Sequence, residues 1–148
     1  MTSGSPALAA ALERVGDRWS LLVVEALLDG PRRYNDLLVA LPGIAPNILA
    51  DRLRRLERER LIVARPYSER PPRMDYSLAA DGRDLAGALR LLADWGARRT
   101  APPGGDPKAP AHEPLRHDAC GTPLEARWYC PTCALTVADD EAPETRFV

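Results

Sequence analysis

Three cysteines and two histidines are the metal-ligating side chains that stand out in this 148-residue chain, and all five lie after residue 111. Cys130-Pro131-Thr132-Cys133 has the spacing at which two thiolates on one tight turn reach a single ion about 2.3 Å away. Cys120, followed by Gly121, offers a third thiolate. His117 stands in H-x2-C spacing with Cys120 and would complete a second short loop, whereas His112 and Asp118 are worse placed. A tetrahedral set of His117, Cys120, Cys130 and Cys133 leaves no open position for water or substrate, so the expected site is structural, with one zinc per chain. A module this small can barely bury a core, and metal binding would be its folding energy. The competing reading is three unrelated cysteines, with Cys130 and Cys133 a redox pair. A redox CxxC normally precedes a helix in a thioredoxin-like setting, and no such setting is visible. An odd number of thiols forms no disulfide framework and suits a reducing compartment, so a cytoplasmic location is expected.

A second concentration of chemistry is basic. Between Arg52 and Arg73 there are eight arginines (Arg52, Arg54, Arg55, Arg58, Arg60, Arg65, Arg70, Arg73) against Glu57, Glu59 and Glu69. Ile48, Leu49, Leu53 and Leu56 line one face of a helix that starts near Pro46, and Asn47, Ala50, Asp51 and Arg54 fall on the opposite, polar face. Such a helix offers the side chains of its first turns to base edges while flanking arginines hold phosphates. Asn47 suits adenine, Arg54 a guanine or a phosphate, and Asp51 can only accept a hydrogen bond, for instance from cytosine. Arg52, beside Leu53, is expected to be a structural or phosphate-positioning residue rather than a reader. Arg33 joins the candidate DNA-contacting set. Arg70 and Arg73, on a segment stiffened by Pro66, Pro71 and Pro72, suit phosphates or a minor groove. The competing reading of RLRRLERERL is a solvated helix face laced with intrahelical ion pairs.

The chain as a whole carries a net charge of −1, which excludes a uniformly basic coat but not a local patch. Residues 1–100 hold 16 arginines and 13 acidic residues, and the remainder holds 4 basic and 8 acidic residues. The two parts are therefore expected to do different jobs. Apolar runs such as Leu21–Val24 are too short to span a membrane, and Met1–Pro6 shows no secretory signal. No HExxH, P-loop, GxSxG or G-x-G-x-x-G is present, and nothing assembles a catalytic site, so no enzyme is expected.

The elements that must position these residues follow from periodicity and punctuation. Ser5-Pro6 opens a helix through Leu8, Leu12 and Val15; Trp19–Leu28 is apolar almost all round and stops at Gly30-Pro31. Asn35 is placed to cap a short third helix, ended by Pro42-Gly43, before the helix at Pro46. Leu61–Ala64 reads as a strand, Met74, Tyr76 and Leu78 alternate as a second, and PYSERPPR reads as the loop between them. A last helix from about Asp81 to Arg99 puts Leu85, Leu89, Leu92 and Trp95 on one face. The expected fold is mainly α with a small β-hairpin, a winged helix-turn-helix over residues 1–100. A linker with five prolines follows at 101–115, then a small cysteine-bearing module with an acidic tail at 116–148.

GDRW, DGPRRYNDL, LPGI before a Pro-initiated helix, RLRRLE and PPRMDYSL occur in the order found in HxlR-type winged helix-turn-helix regulators, which the chain resembles from about Ser5 to Arg99. The resemblance implies a bacterial, homodimeric regulator with dimer contacts from the first and last helices. It also implies that Pro46, Asn47, Ala50, Asp51 and Arg54 face the groove and that Arg70 and Arg73 lie on the wing. The expected activity is repression by occlusion of a two-fold symmetric operator in double-stranded DNA. Three departures are visible. The cysteine usual before the first helix is absent, the serine usual before the recognition-helix proline is Ala45, and Leu38 and Val39 replace the usual basic residues of the third helix. The tail resembles zinc ribbons, except that Ala134 stands where a glycine is usual after Cys133. Trp19 and Trp95 could line an effector pocket between dimerising helices or simply be core and interface. Trp128 and Tyr129 are expected to pack the ribbon. The rival function is a winged-helix and ribbon module that binds another protein through Leu38, Val39 and the acidic tail.

Overall fold

The computed structural model describes residues 6–99 and 116–137. Ser5 as a cap, the proline-rich stretch 101–115 with His112, and the acidic end 138–148 lie outside the described residues. The chain forms two compact units, residues 1–90 and 91–148.

The first unit begins with α1 (Pro6–Val15) and α2 (Arg18–Ala26), followed by β1 (Arg32–Arg33), α3 (Tyr34–Ala40) and α4 (Pro46–Arg58). Strands β2 (Ile62–Glu69) and β3 (Pro72–Leu78), the short α5 (Ala80–Asp84) and the start of α6 (Ala86–Arg99) complete it. Leu49, Leu53 and Leu56, the buried stripe of α4, pack with Val23 and Val24 of α2 and Leu37 of α3 in one core. Each such leucine taken out of water contributes about 1.5–3 kcal/mol, and this stripe fixes which face of α4 is left outside.

Several local expectations change. Asn35 lies inside α3; its N-cap is Arg33, whose backbone N–H donates to Asp36 Oδ2 at 3.1 Å. The strand expected to end at Ala64 runs on to Glu69, and the supposed loop shrinks to Arg70 and Pro71, joined by a cis bond. Prolines are tolerated in this hairpin because β2 is an edge strand in the order β1-β3-β2 and because its ladder slips at Tyr67, between the Pro66–Met74 and Ser68–Arg73 pairs. β1, two residues long, pairs Arg32 with Tyr76 and Arg33 with Asp75, a third strand too short to leave a periodic trace in the sequence. The long last helix is broken at Leu85 into α5 and α6. Gly82, buried in α5, lies so close to the Leu61 carbonyl that a Cβ there would sit 2.1 Å from its oxygen.

In the second unit, Trp128–Cys130 (β4) and Leu135–Val137 (β5) form an antiparallel hairpin. An isolated bridge between Arg116 and Pro123 closes a second, smaller turn.

Candidate nucleic-acid interface

The start of α4 is set by Pro46 at its first turn. Ala45 at the N-cap supplies no side-chain hydrogen bond. Tyr34 of α3 holds the same corner from outside the helix, its hydroxyl donating to the Pro46 carbonyl at 2.6 Å. With Leu49, Leu53 and Leu56 turned inward, Asn47, Asp51 and Arg54 are exposed and Ala50 is half-buried. Asn47, Asp51, Arg54 and Arg58 recur at i, i+4, i+7 and i+11, one continuous strip along the helix. Arg54 has no ion-pair partner among the described residues. At its far end α4 closes in a Schellman arrangement: the Leu61 N–H donates to the Leu56 carbonyl at 2.9 Å and the Arg60 N–H to that of Glu57 at 3.0 Å, with Arg60 at φ 60°.

The arginines expected to touch DNA fall into two groups. Arg54, Arg70 and Arg73 are exposed, Arg70 at the hairpin turn and Arg73 in β3 rather than in a loop. Arg33 and Arg52 are committed to neighbours. The Arg33 guanidinium lies 4.5 Å over the Tyr67 ring and 3.7 Å from Asp75 Oδ1, clamping β1 to the wing. Arg52, only 23 % exposed, donates through Nε to Asp17 Oδ1 at 2.8 Å and through Nη1 to Asp51 Oδ2 at 2.7 Å. Of the two roles the sequence left open for Arg52, this geometry favours the structural one.

Asp17 is the residue that sequence reasoning missed. It stood in the GDRW run with nothing local to mark its long-range partners. It caps α2 by accepting from the Ser20 N–H at 3.0 Å and from the Ser20 hydroxyl, and it meets Arg52 and Arg55 from α4. Partial burial pushes its pKa up, but the Ser20 hydrogen bonds and the Arg52 guanidinium outweigh this and hold the carboxyl below its ordinary value. Arg55 also donates to the Glu13 carbonyl, and Arg14 faces Glu59 at 3.7 Å. Helix α4 is therefore tied to the α1–α2 corner beside its exposed strip.

The predicted metal ligands come together as two pairs. His117 Nδ1 lies 3.3 Å from Cys120 Sγ, and the His117–Thr122 turn has Gly121 at φ 68°. Cys130 and Cys133 share the turn between β4 and β5, where Ala134 adopts φ 55°, the conformation for which a glycine is usual. Hydrogen bonding with the Thr122 hydroxyl and amide lowers the Cys120 pKa, and hydrogen bonding with Cys133 and the Thr132 amide lowers that of Cys130. Among the described residues no three His, Cys, Asp or Glu side chains gather round one point.

Trp19 packs on the core with the Arg18 guanidinium 4.5 Å over its ring, and Trp95 is 52 % exposed in the second unit. A cavity of about 290 Å³ in the first unit is lined instead by Leu27, Leu28, Pro31, Leu78, Arg83 and their neighbours. In α3, Leu38 is half-buried on the core and Val39 is 83 % exposed. No described helix is long and apolar enough to cross a membrane.

The profile of the HxlR-like helix-turn-helix family matches residues 14–103. The chain is 39 % identical over 123 residues to the uncharacterised HTH-type transcriptional regulator Rv3095 of Mycobacterium tuberculosis, covering 83 % of this chain and 74 % of that protein. It is similar to the reduced redox regulator HypR (28 % identity, TM-score 0.60) over 64 % of this chain and 93 % of that one. PA1607, a protein proposed to be a transcription factor, matches with 28 % identity and a TM-score of 0.75 over 99 % of this chain and 96 % of its own.

Proposed function

Since the chain belongs to the HxlR-like helix-turn-helix family, we propose that it is a transcriptional regulator that reads DNA sequence as a homodimer and acts without catalysis. The observation that carries this reading is the exposed strip of Asn47, Asp51 and Arg54 on α4, flanked by a wing that presents Arg70 and Arg73. Asn47 and Arg54 would make base-edge or phosphate contacts in a major groove, and the wing would hold the neighbouring backbone. Leu8 and Leu12 on α1, and Leu91, Leu92 and Trp95 on α6, are apolar side chains about half exposed, which supports burial against a second copy. Two recognition helices about 34–36 Å apart would then meet a two-fold symmetric operator, and occupancy of a promoter would repress it. Such a protein works in the cytoplasm, on nucleoid DNA. The test is to sequence the genomic fragments retained by the purified protein: a palindromic motif supports the reading, and an unenriched, random set refutes it.

The C-terminal module is assigned a structural zinc ion held by His117, Cys120, Cys130 and Cys133. The donor types fit zinc, and each pair sits on a short turn followed by a left-handed residue. None of residues 116–137 is buried, so the described part of this module has no apolar core to hold its two turns together. When bound, the ion would cross-link them.

A further inference from the structure

Asp51 places a carboxylate on the groove strip of α4, where a bare negative charge repels phosphate. Arg52 removes that difficulty, because its Nη1 donates to Asp51 Oδ2 at 2.7 Å. The guanidinium is not free to follow the DNA: its Nε is held by Asp17 Oδ1 at 2.8 Å, and Asp17 is itself fixed as the cap of α2. The three side chains form a line from the second helix to the groove face. With one oxygen engaged and its charge partly offset by the guanidinium it shares with Asp17, the Asp51 carboxylate keeps an acceptor in a defined place, suited to an exocyclic amino group of cytosine or adenine.

We infer that Asp17 and Arg52 are positioning residues that orient Asp51, so that a side chain of α2 sets the base preference at the pair Asp51 meets. The inference rests on α4 being the recognition helix, as proposed above. A freely rotating Asp51 would accept from several positions or turn away from the phosphates, and preference at that pair would fade while the surrounding arginine contacts remained.

The experiment is selection from randomised duplexes by the full-length wild-type protein and by Asp17→Asn, Arg52→Gln, Asp51→Asn and Arg54→Ala. Asparagine still caps a helix, so Asp17→Asn keeps the α2 N-cap while removing the charge that holds Arg52. Wild type is expected to discriminate at the Asp51 position by roughly fivefold or more. Asp17→Asn, Arg52→Gln and Asp51→Asn should lose preference at that same pair and no other, and Asp17→Asn should keep its affinity for non-operator duplex within about twofold of wild type. Arg54→Ala should act at a different position or uniformly. Thermal unfolding followed by circular dichroism checks that the variants remain folded. Retention of the full preference by Asp17→Asn, when Asp51→Asn has lost it, overturns the relay alone. Loss of preference at every position together with loss of cooperative unfolding shows a merely structural Asp17 and also overturns it. A wild-type protein with no preference anywhere overturns the DNA-reading function itself, and the relay with it.

Discussion

Arg60 illustrates how one residue can carry a cost that its neighbours accept. It occupies a left-handed position at φ 60° so that Leu61 can turn back to the Leu56 carbonyl and enter the core. A side chain with a Cβ is strained there, by about 1 kcal/mol or more relative to glycine. Arg60→Gly should therefore raise stability by about 0.5–1 kcal/mol, read as a higher urea midpoint with unchanged slope. An unchanged or lower midpoint would mean that the arginine side chain contributes more than its backbone costs. At this scale the sequence was partly legible. Asn47, Asp51 and Arg54 fell on the polar face because the leucine spacing of α4 left them nowhere else. Arg52 stayed ambiguous because its partner, Asp17, lies 35 residues away and no local pattern links the two.

Among the elements, the junction after the wing is the most tightly determined. β3 ends at Leu78, the Ala79 N–H donates to the Leu61 carbonyl at 2.9 Å, and α5 then packs against that same carbonyl through Gly82. Any Cβ at residue 82 must push the backbone at Leu61 or α5 aside, at a cost of about 1–3 kcal/mol. Gly82→Ala is expected to lower the melting temperature by several degrees in a thermal scan; no loss would show that α5 can slide off Leu61 freely. The same contact explains why periodicity misread this region as one helix. Leu85, Leu89, Leu92 and Trp95 do follow helical spacing, but a close backbone approach at Gly82 leaves no hydrophobic signature. The prolines of PYSERPPR misled in the opposite direction, reading as loop when an edge strand with a slipped ladder accommodates them.

For the whole molecule, the two units rest on different physics. Residues 1–90 are held by a leucine- and valine-rich core, whereas the described part of the C-terminal module buries no residue. Protein prepared without chelator is expected to hold one zinc per chain by elemental analysis. Chelation should expose the amides of residues 117–137 to fast hydrogen exchange and leave those of α2 and α4 protected. A zinc content near zero would refute the structural metal. The division of labour was visible in composition, since arginine concentrates before residue 100 and every thiol after it. The placement of the two thiol-bearing turns relative to each other was not, because spacing specifies each turn but not the chain between them.

The central claim is that α4 and its wing form a surface that grips duplex DNA. Its most direct test is the salt dependence of affinity for the enriched operator, measured for wild type, Arg54→Ala and Arg70→Ala. Both variants should bind more weakly, and Arg70→Ala should reduce the slope of log affinity against log salt by about one, the signature of a lost phosphate contact. Identical affinities and slopes for all three proteins would contradict the account.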